Sequence, residues 1–182
     1  MATLGFMLIV FVFIGSMRPS EKTKANYERW PVEVNASNLK VGEYKIVKWD
    51  KKPIIILRRN PEIVATLGSL DAELYDPDST IDPDPGFIKK TQRSIVPEYF
   101  VGFAISTYCG CGLKFSKEFG YFNLRGGMFY DPCHTGVYDI AGRLLKSTIL
   151  KPVPACKNER MSNMKIPPYK VVGDTTIVIG NK

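Results

Sequence analysis

Cys109, Cys111 and Cys133 crowd into one short stretch of the chain, and the only histidine, His134, directly follows the third of them. That clustering constrains the fold more than any other feature, because it demands either a shared metal or cross-links between neighbouring loops. A Cys-Cys-Cys-His zinc site can be written from Cys109, Cys111, Cys133 and His134. Adjacent residues on an extended chain point apart, however, whereas tetrahedral ligation needs convergent side chains. Disulfides are the alternative and suit a domain in an oxidising compartment. With Cys156 the cysteines number four, so three full pairings are open.

The N-terminus narrows the setting. No charged side chain occurs from Met1 to Met17, and Leu4 to Ile14 is almost wholly apolar. That is close to the minimum length for crossing a bilayer. A basic leading region and a small-residue cleavage pattern are both missing, so the segment reads as a retained anchor rather than a cleaved leader. Arg18, Lys22, Lys24 and Arg29 follow it, a flank that the positive-inside tendency assigns to the cytoplasm. Pro19 to Glu28 is charged and lacks glycine, as a continued helix would be. The net charge of +7 comes from scattered lysines and arginines. No basic stripe interleaved with aromatics appears, which excludes a nucleic-acid surface and leaves a field suited to acidic protein or lipid.

Beyond Trp30 the pattern is that of strands. Val32 to Val34, Tyr44 to Trp49 and Pro53 to Leu57 are short and β-branched, with a turn at Asp50-Lys51-Lys52. Tyr99 to Ile105 reads as a buried strand leading into the cysteines. Gly126 to Tyr130 and Val137 to Ile140 flank the second cysteine site, and Val171 to Ile179 forms a hairpin around Gly173-Asp174. Asp71 to Pro85, rich in Asp and Pro, reads as an exposed loop. One histidine, no nucleophile elbow and no phosphate-cradling loop leave a hydrolase or transferase without its constellation.

Two loops carry a resemblance. Ser106-Thr107-Tyr108-Cys109-Gly110-Cys111 and Asp131-Pro132-Cys133-His134-Thr135-Gly136 resemble the Cys-x-His-x-Gly-Cys and Cys-Pro-Cys-His-Gly-Ser loops of Rieske iron–sulfur subunits, in which one Cys and one His from each loop hold a two-iron cluster. Val137-Tyr138-Asp139, Gly142-Arg143, Pro167-Pro168-Tyr169, Lys52 to Glu62 and Phe13 to Pro19 resemble further segments of the bc-type members in the same order. The resemblance implies a mainly antiparallel β fold: a Rieske-like β-sandwich head over 30–182, with a cluster-binding-type subdomain near 98–157. It also implies one N-terminal transmembrane α-helix with its connector over 1–29.

Position by position, the ligand sites of the family fall on Ser106, Tyr108, Asp131 and His134, so only His134 keeps ligand identity. Hydroxyl and carboxylate oxygens are hard donors, poorly matched to iron–sulfur clusters. The resemblance therefore points to no bound cofactor and no metal, a 2Fe-2S cluster with non-standard ligation being the alternative. The family's disulfide falls on Cys111 and Cys133, and a second bond between Cys109 and Cys156 would replace the metal as a staple, two free thiols there being the alternative. His134, without iron or a partner histidine, is expected to be a surface or loop-packing residue. The family serine that tunes the cluster falls at Gly136, while its tyrosine remains as Tyr138. The implied role is a non-catalytic structural subunit beside the cytochrome b and cytochrome c subunits of a bc-type complex or a neighbouring respiratory complex. The implied place is the bacterial or mitochondrial inner membrane, single-pass, with the head on the periplasmic or intermembrane-space side, an orientation opposite to the one that the basic flank favours. An assembly factor occupying the same site is equally compatible with the residues.

Overall fold

The computed structural model describes residues 2–16, 30–117, 124–146 and 160–180. The connector read at Pro19 to Glu28, and Cys156 with it, lie outside them. The chain divides into two compact units, Met1–Trp30 and Pro31–Lys182.

In the first unit, the uncharged run folds as helix α1 (Ala2–Ser16). Its 15 residues extend about 22 Å at about 1.5 Å per residue, against an apolar bilayer thickness of about 30 Å. Among the described residues no helix is long and apolar enough to cross a membrane.

Among the described residues, the second unit holds three antiparallel sheets of three strands each. Strands β1 (Val32–Asn35), β8 (Tyr169–Val172) and β9 (Thr176–Ile179) form one sheet in the order β1-β9-β8, with Val34 opposite Ile177. The second sheet runs β2 (Tyr44–Trp49), β3 (Lys52–Arg58), β4 (Tyr99–Phe103). Its β2–β3 hairpin turns through Asp50 and Lys51, both at positive φ, the backbone that a two-residue hairpin turn of right-twisted strands requires. In the central strand β3, Ile54, Ile55, Ile56 and Leu57 are all buried, and since successive side chains point to opposite faces, both faces of the strand are covered there. A continuous apolar run there is what two-sided burial selects. The third sheet, β5 (Lys114–Ser116), β6 (Met128–Tyr130) and β7 (Val137–Tyr138), carries the cysteine loops. Phe129 of β6 stacks on Phe100 of β4 and Phe115 of β5, with ring centres at 5.4 and 5.2 Å.

Two short helical elements interrupt the strands where the sequence reading placed none. Helix α2 (Pro61–Ala65) starts on Asn60, whose side chain accepts from the Glu62 N–H, with proline in its first turn; both are standard start signals. A 3-10 segment, Leu67–Glu73, follows.

The Asp71 to Pro85 segment is the mostly exposed loop expected of it, apart from the buried residues Leu74, Asp76 and Ser79. Asp76 is buried and its carboxylate accepts from the Thr80 and Ile81 N–H groups and the Thr80 hydroxyl. Burial alone would push that carboxyl up, but these hydrogen bonds prevail and hold it below the ordinary carboxylate value. Asp84 receives both arms of buried Arg93, which also donates to the carbonyls of Ala141, Gly142 and Met164. Asp139 and Arg143 pair in the interior at 2.8 Å. Arg59, buried among the carbonyls of Gln92, Pro97 and Ile140, is drawn down to about 10 by desolvation, with Asp139 opposing. Three arginines thus tie the loops outside the sheets to the turn 139–143, because a buried charge needs partners in every direction.

Candidate functional site

The first cysteine loop grows out of β4. Ala104 donates to the Pro53 carbonyl, Ile105 bridges Gly112, and Ser106 N–H donates to the Cys111 carbonyl at 2.7 Å, so residues 106–111 close as the tip of a hairpin. Cys109 and Gly110 both hold positive φ. The Ser106 hydroxyl accepts from the Tyr108 N–H. Thr107 and Ser162 exchange hydrogen bonds, hydroxyl to carbonyl at 2.8 Å and N–H to hydroxyl at 2.9 Å. The segment around Ser162 therefore buttresses the loop, a contact the sequence reading did not single out.

The second loop joins β6 to β7 and is organised by one carboxylate. Asp131 N–H donates to the Gly136 carbonyl, and the Asp131 carbonyl accepts from Thr135. Asp131 Oδ1 accepts from the N–H groups of Cys133 and His134, and Oδ2 lies 3.1 Å from His134 Nδ1. An aspartate bonding its own chain two and three residues ahead is a turn-forming device. Gly136 has a packing reason as well: a Cβ there would come within 2.7 Å of two side-chain atoms of Met161.

The loops meet through two contacts. Cys111 and Cys133 form a disulfide with their Cα atoms 6.4 Å apart. Tyr108 and His134 pack edge to face with ring centres at 5.0 Å. Cys109 is disulfide-bonded too, while its expected partner Cys156 lies outside the described residues. Ser106, Tyr108, Asp131 and His134 are all buried, and they converge on one junction. Beneath it the Tyr138 hydroxyl is fully buried without a hydrogen bond of sound geometry. Burial pushes that phenol up, Ser106 and Thr107 pull it back in part, and the Asp131 charge adds to the rise.

A two-iron, two-sulfur cluster needs thiolate donors on at least one iron. The four positions supply a hydroxyl, a phenol, a carboxylate and an imidazole, and the described cysteines are all in disulfides. The carboxylate and the imidazole Nδ1 are moreover engaged with each other. This donor set does not fit such a cluster.

Fold and site together define a mainly antiparallel β head whose two cysteine loops are joined by a disulfide. Comparison with protein-family models finds no match. The chain is 38% identical over 180 residues to the ubiquinol-cytochrome c reductase iron-sulfur subunit of Allochromatium vinosum, covering 97% of this chain and 80% of that protein. It is 31% identical to the same subunit of Rhodospirillum rubrum, over 97% and 84% of the two chains. With the mitochondrial Rieske subunit of the Saccharomyces cerevisiae cytochrome b-c1 complex it shares 31% identity, over 98% and 69%. Among solved structures, a chain of a hyperthermophilic respiratory Complex III superposes with a TM-score of 0.46 at 18% identity, over 96% and 92%. On the sequence relatives, the chain belongs to the Rieske iron–sulfur subunit family of ubiquinol–cytochrome c reductase.

Proposed function

We propose that this chain is a cluster-free, structural Rieske-type subunit of a cytochrome bc-type complex, not itself catalytic. The observation that carries the reading is the internal use of the ligand positions. Asp131, which stands where the family has a cluster thiolate, engages its carboxylate with its own loop and with His134, so this position offers no soft donor to an iron–sulfur cluster. The disulfide between Cys111 and Cys133 supports a head that keeps its loops joined without iron and faces an oxidising compartment. On this reading the apolar N-terminal segment holds the subunit to the inner membrane, and the head packs against cytochrome b and cytochrome c subunits. A lone imidazole titrates but carries no electron, so the head contributes surface rather than redox chemistry.

The test is an iron and acid-labile sulfide assay on the purified chain or its complex, with electron paramagnetic resonance after ascorbate reduction. The expected result is neither metal nor signal from this subunit. Stoichiometric iron with a Rieske-type spectrum would overturn the reading and establish electron transfer through unusual ligands.

A further inference from the structure

The disulfide sulfurs have a third neighbour. Cys111 Sγ, Cys133 Sγ and a carboxylate oxygen of Asp131 all lie within 4.8 Å of one another. Asp131 is buried, whereas Cys111 is half-buried and Cys133 exposed, so reductant and ion reach the sulfurs from solvent while the carboxylate is held in place. Each loop also has a closure of its own in the backbone. One is closed by Ser106 N–H on Cys111 O, the other by Asp131 N–H on Gly136 O, and each continues directly into paired strands.

We propose that reduction of the Cys111–Cys133 disulfide opens a binding site for a zinc-type divalent cation, ligated by Cys111, Cys133 and Asp131, with water in the fourth position. Thiolates with an imidazole or carboxylate are the donors that zinc favours over hard cations. Zn–S bonds of about 2.3 Å at a tetrahedral angle put two sulfurs about 3.8 Å apart, against about 2.05 Å in a disulfide. An opening of about 1.7 Å, set by those two values, is reached by side-chain rotation at the present Cα separation of 6.4 Å. The His134 ring and the Cys133 and His134 N–H groups already orient the Asp131 carboxylate, as partners behind a metal ligand do.

The chemistry balances with a dithiol reductant. Its two S–H bonds give way to its own disulfide, the Cys111–Cys133 bond breaks, and two electrons and two protons pass to the cysteines. The cation then displaces both thiol protons to solvent as two metal–sulfur bonds form. This inference rests on the cluster-free reading, since a cluster would already claim Asp131.

The experiment uses the full chain in detergent, first assayed for iron and sulfide so that failure of the cluster-free reading is recorded separately. Iron-free protein is treated with dithiothreitol, exchanged into reductant-free anaerobic buffer, and titrated with zinc(II) alone, with and without the reduction step. We expect one zinc per reduced chain and none on the oxidised chain. X-ray absorption at the zinc edge should show two sulfur donors together with oxygen or nitrogen. A Cys109→Ala/Cys156→Ala variant should keep this site, and Asp131→Asn in that background should weaken zinc at least about tenfold. Circular dichroism establishes that each variant is folded. Absence of zinc from reduced, folded protein overturns the proposal, as does a shell of three or more sulfurs in the unmodified chain. Where Asp131→Asn fails to fold, the absorption spectrum of the unmodified chain decides alone.

Discussion

Replacing Arg93 with methionine keeps roughly the aliphatic stem of the side chain and removes its charged guanidinium group. In the structure Arg93 is 1% exposed and donates to both oxygens of Asp84 and to the carbonyls of Ala141, Gly142 and Met164. Gly142 O retains the Met164 N–H, so the substitution strands the Asp84 carboxylate and two carbonyls. Removing one partner of a buried ion pair costs about 3–5 kcal/mol. For a chain of this size that lowers the melting temperature by about 6–20 °C. A matched control is Lys165→Met, which breaks the ion pair with Asp82 at 3.2 Å, where the side chains are 62% and 37% exposed; exposed pairs contribute about 1 kcal/mol or less. Urea denaturation of the full chain in detergent, followed by circular dichroism, should show a lowered midpoint with an unchanged slope for Arg93→Met and almost no shift for Lys165→Met. If the two variants fall together, the buried arginines are not what fastens the loops to the sheets.

Asp76→Asn should destabilise at neutral pH and progressively less in acid. The lowered carboxyl contributes stability above the ordinary value of 3.8 and loses it as pH falls through its folded value; a deficit that stays constant in urea midpoints from pH 7 to 2 would contradict this. Gly136→Ser restores the family residue but drives a Cβ into Met161, so it should cost about 1–3 kcal/mol; a melting temperature equal to the parent's would show that Met161 yields freely. Tyr138→Phe deletes a buried hydroxyl that lacks a hydrogen bond, so stability should change by less than about 1 kcal/mol or rise. A loss of about 2 kcal/mol in the same urea assay would reveal a real bond to Ser106 or Thr107.

Legibility from sequence varied with how far each feature depends on local pattern. Strand β2 begins and ends where the reading put it, at Tyr44 and Trp49, because β-branched alternation and the following turn are local signals. Strand β3 gained Lys52 and Arg58 at its ends, charged residues that hydropathy assigns to turns but that backbone pairing admits. Helix α2 and strand β5 are too short for periodicity to register. The Asp71 to Pro85 loop was legible, but charge normally marks solvent, and nothing along the chain announces that Asp76 is buried or that Arg93 will come to meet Asp84. At the site, residue patterns alone left three cysteine pairings open. The Cys111–Cys133 bond followed from family resemblance and is present. The coupling of Asp131 to His134 lies beyond either route, since it depends on how the second loop folds back on itself.

Among the described residues, strand β1 finds its only sheet neighbour in β9, with Val32 opposite Ile179. A head built this way cannot be assembled in the order of synthesis. While the middle sheets are already pairing, residues 32–35 must wait for a partner strand nearly at the far end of the described chain, and such distant pairings slow folding. Loss of the last dozen residues would therefore release the first strand as well as the last, so the stretch beside the N-terminal unit is locked only when the opposite end arrives.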